Sequence, residues 1–249
     1  MSVSRAEVCA VACAELFRDA GGEIMVSPMA TMVSIGARLA RLTFSPDILL
    51  TDGEARLLAD TPALGAAGAS RDGCRSAGCS RRWPGGAGAM SSWAPTRSTA
   101  TVTRTCRRSG RCSNRPGRCS ACAVPPGNTI NHATSYWVGN HSKRVFGDSV
   151  DVVSGIGWDK VDPANPAYRF VNVYRVVTNL GVFDFNGPDH QMRAVSLHPG
   201  VEAEQVAENT SFEVHGLESA EQTRLPTEAE QKLIRDVIDP KGLRDKEIR

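Results

Sequence analysis

The N-terminal part of the chain alternates between apolar residues at helical spacing and short apolar runs that suit strands. Apolar residues recur at helical spacing from 8 to 16, and Ser4 with Glu7 matches a capping box before them. We predict a second helix from Pro28 to about Leu42, with Pro28 at its first position. GEIMVSP is a short strand or loop, and DILLTDGEA is a short buried strand that runs into a turn. This alternation predicts an α/β sheet.

The same pattern returns after residue 125. FVNVYRVVTNLGVFDF predicts two strands joined by a turn at residues 179–181. KRVF and VDVVSGIG predict short strands, and VEAEQVAEN predicts a short helix. Thr227 and Glu230 match a second capping box, which opens a helix that ends at Asp239, before Pro240. We expect the charged last residues, KGLRDKEIR, to be frayed.

The sequence gives no sign of a membrane segment. It has no run of 18 apolar residues, and charged side chains interrupt the N-terminal stretch, which is amphipathic and does not resemble a signal peptide. We therefore expect a cytoplasmic protein without a membrane partner.

Composition separates residues 66–124 from the rest of the chain. This segment contains 11 Arg, no Lys, one acidic residue and six of the eight Cys. It contains no Leu, Ile, Phe or Tyr and shows neither helical nor strand periodicity. The segment carries a charge of +10, whereas the remainder carries −8. So few apolar side chains cannot offset the entropy of ordering, and the residues as written predict disorder.

Two functional interpretations of this segment are a zinc site and an arginine-rich nucleic-acid tether. Cys119 and Cys122 form a CxxC pair, but the other Cys spacings give no second pair and the segment has no His. The Arg residues are scattered, and Trp83 and Trp93 are its only aromatic residues for base stacking. A disulfide framework does not suit a cytoplasmic chain. We predict neither a bound metal nor a nucleic-acid partner.

A shifted reading frame explains this composition better. Arg, Ser, Cys, Pro, Gly, Ala and Trp are the residues that a GC-rich gene yields in a wrong frame. If each codon of residues 88–105 starts one base earlier, the stretch can read R-R-H-V-V-M-G-A-N-Q-V-D-R-Y-G-N-Q-N, which suits a strand, a glycine turn and a polar loop. Residues 118–122 can likewise read Q-M-F-G-V. We predict a double frameshift, with compensating insertions or deletions near codons 65–70 and 123–126.

Two stretches outside the segment carry candidate site residues. Asp52 and Glu54 follow a predicted strand, where a carboxylate can serve as nucleophile, acid or base in the crevice of an α/β sheet. A solvated Asp-Gly turn is the alternative. The loop of Pro126, Gly127 and Asn128 can either cradle an oxyanion with backbone N–H groups or form an ordinary turn.

Other polar residues are weaker candidates. Asn131 and His132, with Asn140 and His141, form a polar group that suits contacts better than nucleophilic attack. The remaining histidines have no metal-ligand spacing, and the two N-terminal cysteines lie four residues apart on a predicted helix as core thiols.

The parts outside the segment resemble the beta subunit of family I CoA-transferases. The resemblance rests on SPDILLTDGEARLLADTPALG, PPGNTINHATSYWVGNHSKRVF, YRVVTNLGVFDF and LHPGVEAEQVAENTSFEV. RVVTNLGVFDF followed by a PGV helix is the more specific pair. The sequence is most similar to the branch that opens the last steroid ring in cholesterol breakdown. The shifted reading VMGANQVDRYGNQN also looks like the middle segment of that family.

This resemblance implies an open α/β CoA-transferase fold with a mostly parallel central sheet, formed by residues 1–249 as a single domain. It implies an α2β2 complex with a separate alpha subunit, an acyl-CoA thioester as substrate, and no metal or other cofactor. In the transferases a beta-subunit Glu attacks the thioester at a position that matches LLTDGEA. Here Asp52 or Glu54 lies nearby, without the usual S-E-N-G form.

That departure favours hydrolytic ring opening, with the main base on the alpha subunit, over CoA transfer between an acyl-CoA and a free acid. The glycine-rich oxyanion loop of the family corresponds to Pro126, Gly127 and Asn128. A third alternative is an inactive remnant, because a frameshift would remove at least one strand and its crossover from the sheet.

Overall fold

The computed structural model describes residues 2–18, 25–28, 30–51, 56–66, 68, 70–73, 89–93, 97–98, 104–105, 129–131, 133–149 and 155–248. Eight strands form one sheet: β1 (Met25–Pro28), β2 (Leu49–Leu50), β5 (Ala89–Trp93), β8 (Ala133–Val138), β9 (Asn172–Thr178), β10 (Gly181–Asp184), β11 (Arg193–Leu197) and β12 (Glu221–Gln222). Two further strand pairs are β3 (Arg56–Leu58) with β4 (Ser70–Gly73), and β6 (Arg97–Ser98) with β7 (Arg104–Thr105).

The main sheet is mostly parallel. Its order is β12-β11-β10-β9-β8-β5-β1-β2. The strands from β9 to β2 all run in one direction, β10 is antiparallel to both of its neighbours, and β12 is parallel to β11. This topology confirms the predicted open α/β architecture.

Two apolar clusters cover the faces of the sheet. Helices α1 (Arg5–Glu15) and α2 (Thr31–Leu42) pack on one face, where Trp137 of β8 joins them. Tyr136 and Val138 of the same strand enter the second cluster on the other face. This alternation follows from the two-residue period of a strand. The close approach of the helices needs Gly36, because a Cβ there would lie 2.6 Å from the Cβ of Cys13.

Several local predictions are confirmed. The side chain of Ser4 accepts a hydrogen bond from the Glu7 N–H at the start of α1. The short helix α3 (Ala203–Glu208) and the hairpin of β9 and β10 lie where the sequence predicts them. A second capping box opens α4 (Glu228–Lys232), which continues as a π-helical turn, Leu233–Ile238. The two N-terminal cysteines are buried in the core.

One predicted boundary and one predicted strand are wrong. Pro28 is the last residue of β1, where it is the register partner of Ser92 in β5, and α2 begins at Thr31. KRVF contains a turn, in which the N–H groups of Val145 and Phe146 bond the carbonyl of Ser142. Strand pairing decides the first conformation and hydrogen bonds within the turn decide the second. Neither can be read from the pattern of apolar residues. Of VDVVSGIG, only the last residues are described.

The C-terminal residues are not frayed. Asp239 accepts hydrogen bonds from the backbone N–H groups of Leu243 and Arg244, and its carboxylate also bonds the Arg244 guanidinium at 3.0 Å. Arg244 lies 3.8 Å from Glu7, whose carboxylate accepts two bonds from Arg235. We call Glu7, Arg235, Asp239 and Arg244 the charged cluster. This cluster attaches the C-terminal residues to α1. The prediction of fraying rested on their charge alone, and the charge does not show that these side chains have partners on α1.

Most of residues 66–124 lie outside the described residues. The structure describes strands β4, β5, β6 and β7 within this segment, and β5 lies between β1 and β8 in the main sheet. The residues as written predicted no strand there, whereas the shifted reading places H-V-V-M on residues 90–93. Backbone pairing with strands on both sides accounts for the difference, because those hydrogen bonds do not depend on the side chains.

Candidate functional site

The predicted carboxylates, Asp52 and Glu54, lie outside the described residues, and their role stays a prediction. The chain on either side of them is described. Thr51 follows β2 at the carboxyl end of the parallel strands and forms a bridge with Leu57 of β3. Arg41 of α2 holds the chain beyond, donating hydrogen bonds to the carbonyls of Leu58, Ala59 and Asp60. Ligands of open α/β folds bind at that end of the sheet.

The predicted oxyanion loop is likewise untested. Pro126, Gly127, Asn128 and His132 lie outside the described residues. The loop leads into a helical turn at residues 129–131 and then into β8, which has a buried apolar sequence as expected. Asn131, at the end of that turn, is exposed.

A polar cluster that the sequence did not predict lies at the same carboxyl end, after β8 and β9. The backbone N–H of His141 donates to Oδ1 of Asn179 at 2.8 Å. The ring nitrogens of His141 lie 3.2 Å from Oγ1 of Thr178 and 2.9 Å from Oγ1 of Thr210. The Thr210 hydroxyl donates to the carbonyl of Val206, so it accepts from Nε2–H of His141.

His198 occupies the other side of Thr178. Its Nε2 donates to the carbonyl oxygen of Thr178 at 2.9 Å, and its Nδ1 lies 2.9 Å from Oγ1 of Thr223. Cys9 of α1 also reaches the Thr178 carbonyl at 3.7 Å and lies 3.5 Å from Nε2 of His198. We call His141, His198, Thr178, Thr210 and Thr223 the histidine cluster.

Burial keeps the histidine cluster neutral. His141 and His198 are 3% and 1% exposed, and burial lowers the pKa of His141 to about 3 and that of His198 to about 4. Burial also raises the pKa of the Cys9 thiol to about 12. A neutral imidazole with both nitrogens engaged is a poor proton carrier, and an undissociated thiol is a poor nucleophile. The cluster therefore fixes the turn after β9 through hydrogen bonds between neutral groups.

The end of β8 is fixed from the C-terminal side. The indole N–H of Trp137 donates to the carboxylate of Glu247 at 2.9 Å. A Cβ on Gly139 would lie 2.0 Å from the Glu247 carbonyl oxygen, so only glycine fits where the two segments touch. In sequence these residues gave no signal, because the contact joins positions 110 residues apart.

The described parts of the chain contain no group of three or more His, Cys, Asp or Glu arranged to hold a metal ion. Among the helices described, none is long and apolar enough to cross a membrane.

Known structures define the class of fold. The glutaconate CoA-transferase of Acidaminococcus fermentans superimposes with a TM-score of 0.76 at 19% identity, over 95% of both chains. The decarboxylase AibA/AibB superimposes with a TM-score of 0.80 at 20% identity, over 99% of both. The chain thus has the fold of the CoA-transferases. No protein-family model matches it.

Closer relatives define the family within that fold. The cholesterol ring-cleaving hydrolase IpdB subunit of Mycobacterium tuberculosis (strain ATCC 25618 / H37Rv) is 63% identical over 265 aligned positions, which cover 99% of each chain. Its counterpart from Rhodococcus jostii (strain RHA1) is 52% identical over 99% of this chain and 96% of its own. The crystal structure of Rhodococcus jostii RHA1 IpdAB has a TM-score of 0.94, with 51% identity and full coverage of both chains. This chain belongs to the family of IpdB subunits of cholesterol ring-cleaving hydrolases.

Proposed function

We propose that this chain is the beta subunit of a hydrolase that opens the last steroid ring in cholesterol catabolism, by C–C cleavage of a cyclic β-keto acyl-CoA. The observation that carries the proposal is the 63% identity to an IpdB subunit over 99% of both chains. The whole of residues 1–249 forms one beta-subunit domain, which acts in the cytoplasm. It pairs with an alpha subunit in an α2β2 complex and needs no cofactor besides its CoA-thioester substrate.

In the proposed reaction, the base removes a proton from water and the resulting hydroxide attacks the ring ketone. The C–C bond then breaks, so that the ketone carbon becomes a carboxylic acid and the enolate-like carbanion takes up the proton held by the base. The alpha subunit supplies the main base, and Asp52 or Glu54 of this chain orients the substrate or the water. Backbone N–H groups in the loop of Pro126, Gly127 and Asn128, together with the side-chain amide of Asn128, hold the developing negative charge, as oxyanion donors do in acyl-transfer enzymes. Asn131 and His132 contribute substrate contacts beside that loop.

The loop assignment is tested by Asn128→Ala in the assembled complex, made in a chain whose reading frame has been restored. Loss of one oxyanion donor or of its support typically costs about 3 kcal/mol, or roughly a hundredfold in turnover. We expect that loss with an unchanged melting temperature. Turnover within a few-fold of the parent would exclude the Asn128 side chain as a donor and would count against the loop assignment.

A second candidate is CoA transfer between an acyl-CoA and a free acid. It is supported by a glutaconate CoA-transferase subunit of Acidaminococcus fermentans, which is 32% identical over 105 residues, 40% of this chain. A transferase would form a glutamyl-CoA thioester on this chain that borohydride can reduce. We expect no such adduct, together with release of a ring-opened acyl-CoA. A trapped adduct at Glu54 would favour the transferase.

A third candidate is an inactive subunit, because residues 66–124 have the composition of a shifted frame. The alignment with the Mycobacterium tuberculosis relative spans 265 positions, more than the 249 residues of the chain, so it contains gaps. Deep sequencing of the gene should find compensating insertions or deletions near codons 65–70 and 123–126. An unbroken reading frame there would refute the frameshift, and copurification with the alpha subunit without turnover would support the inactive subunit.

A further inference from the structure

A pocket opens where the β9–β10 hairpin splits. The two strands pair only at Val182 with Val177 and at Phe183 with Val176. Beyond that point Asp184 turns to Arg193 of β11, with contacts of 3.0 and 2.6 Å, and β10 diverges from β9. The split leaves a pocket of about 310 Å³ between the amino-terminal half of β9 and the segment after β10.

One wall of the pocket is a stacked aromatic pair. The rings of Trp158 and His190 lie 4.6 Å apart and 17° from parallel. His190 reaches this place through a turn in which Asp189 and His190 both have positive φ, 52° and 58°. Side-chain-bearing residues adopt such angles rarely, and they concentrate at ligand clamps and active sites. The indole N–H of Trp158 donates to the Val173 carbonyl at 3.4 Å, which fixes the ring at the pocket.

The polar groups of the pocket favour an anion. Arg175 lines it, with its guanidinium 5.0 Å from the centroid of the Tyr174 ring, and the ion pairs among the described residues do not include this guanidinium. The acidic residue of the lining, Asp184, is already matched by Arg193 at 2.6 Å. The amides of Asn172 and Asn186 add hydrogen-bonding groups. The lining thus combines a guanidinium, two amides and a flat aromatic surface.

We propose that this pocket binds a small molecule that combines a planar ring with a phosphate or carboxylate group. The volume is at the lower end of ligand sites, so the ligand is small. Arg175 binds the oxyanion with the planar fork of its guanidinium, and the ring packs against Trp158 or His190. The pocket lies at the amino end of β9, away from the carboxyl end where Thr51 precedes the predicted carboxylates. It is therefore a second site, and the proposal does not depend on the ring-opening reaction.

The test is direct binding to the full chain, alone and with its alpha subunit, by ligand-observed NMR. Phenyl phosphate and benzoate are the probes, and phenol and inorganic phosphate each lack one of the two required groups. We expect one or both probes to bind at least tenfold more tightly than phenol or inorganic phosphate. Comparing the probes distinguishes a phosphate ligand from a carboxylate ligand.

Variants locate the binding. Arg175→Gln should weaken it at least tenfold, and Trp158→Leu should weaken the ring-bearing probes more than inorganic phosphate. Arg169→Gln is the matched control, because that guanidinium lies over the ring of Phe170 and does not line the pocket. Equal binding by Arg175→Gln and Arg169→Gln would overturn the proposal, as would no binding of either probe. Binding to the free chain that disappears in the complex would also overturn it, and would assign the pocket to the subunit interface.

Discussion

Helix α1 is held to the rest of the molecule by two buried polar clusters with opposite chemistry. The charged cluster joins Glu7 to the C-terminal residues through Arg235 and Arg244. The histidine cluster, which Cys9 contacts, lies against the turn after β9 and contains no charge at neutral pH. One cluster depends on ionised groups and the other on neutral ones. Helix α1 therefore has two attachments, and a change of pH weakens them in different ranges.

The largest expected difference appears on lowering the pH from 6.5 to 5.0. Both histidine pKa values are lower in the folded state than the ordinary value of 6.5, so the unfolded chain binds protons first and stability falls as the pH drops below 6.5. The slope for each histidine rises toward its limit of about 1.4 kcal/mol per pH unit as the pH falls below 6.5, and the two histidines together lose about 3.3 kcal/mol over this range. Urea unfolding at several pH values measures it.

Glu7 of the charged cluster loses its contribution at lower pH than the histidines do. The side-chain bonds from Arg235 offset the burial of Glu7 and hold its pKa below 4.5, so its contribution is present above pH 4.5 and is lost only below it. A flat stability profile between pH 6.5 and 5.0 would contradict the neutral assignment of the histidine cluster.

Breaking the charged cluster should have the next largest effect. Glu7→Ala removes an almost fully buried carboxylate, its pair with Arg235 and half of a capping box, at a cost of about 3 kcal/mol. The free energy of unfolding at pH 7 measures it. Glu228→Ala, in the exposed first turn of α4, is the matched control and should change stability by less than about 0.5 kcal/mol. Equal effects would mean that the charged cluster contributes no more than a surface charge.

Breaking the histidine cluster should lower the free energy of unfolding by a smaller amount. His198→Phe leaves the Thr178 carbonyl and the Thr223 hydroxyl without their ring partner and should cost about 2 kcal/mol at pH 7. The same variant should remove about half of the pH slope between 6.5 and 5.0. A full slope in the variant would show that His198 is not one of the two titrating groups.

The smallest expected effect belongs to Arg5, which lies beside the histidine cluster. Its guanidinium donates to the carbonyls of Asn179 and Pro199 at 3.1 and 3.0 Å. Arg5→Met should cost about 1 kcal/mol at pH 7, because both acceptors are only partly buried and water can replace the lost bonds. The charge of Arg5 also helps to lower the pKa of His198, so its loss should raise that pKa and make the pH slope slightly shallower. A steeper slope would contradict this contribution.

Features with local causes could be predicted from the sequence. Two capping boxes, the β9–β10 hairpin and helix α3 are confirmed because each depends on residues a few positions apart. The boundary at Pro28 and the docking of the C-terminal residues could not be predicted, since pairing with β5 and contact with α1 decide them.

The candidate site likewise combines residues that the sequence could locate with residues that it could not. The resemblance located Asp52, Glu54 and the loop of Pro126, Gly127 and Asn128, all outside the described residues. The histidine cluster at the same end of the sheet was missed. Its members come from five separate elements or loops, and nothing in their spacing marks them as neighbours. A His that follows a strand gave a weak signal, but the threonines that fix its tautomer gave none.

The contact between Glu247 and the end of β8 has a consequence for synthesis of the chain. Strand β8 leaves the ribosome long before its partner, because Trp137 and Glu247 are 110 residues apart. The carboxyl end of β8 therefore cannot reach its final packing until at least residue 247 has been translated and released. A nascent chain that stalls before residue 247 would leave the carboxyl end of β8 exposed to quality control. Synthesis of these residues is thus a condition for completing the fold.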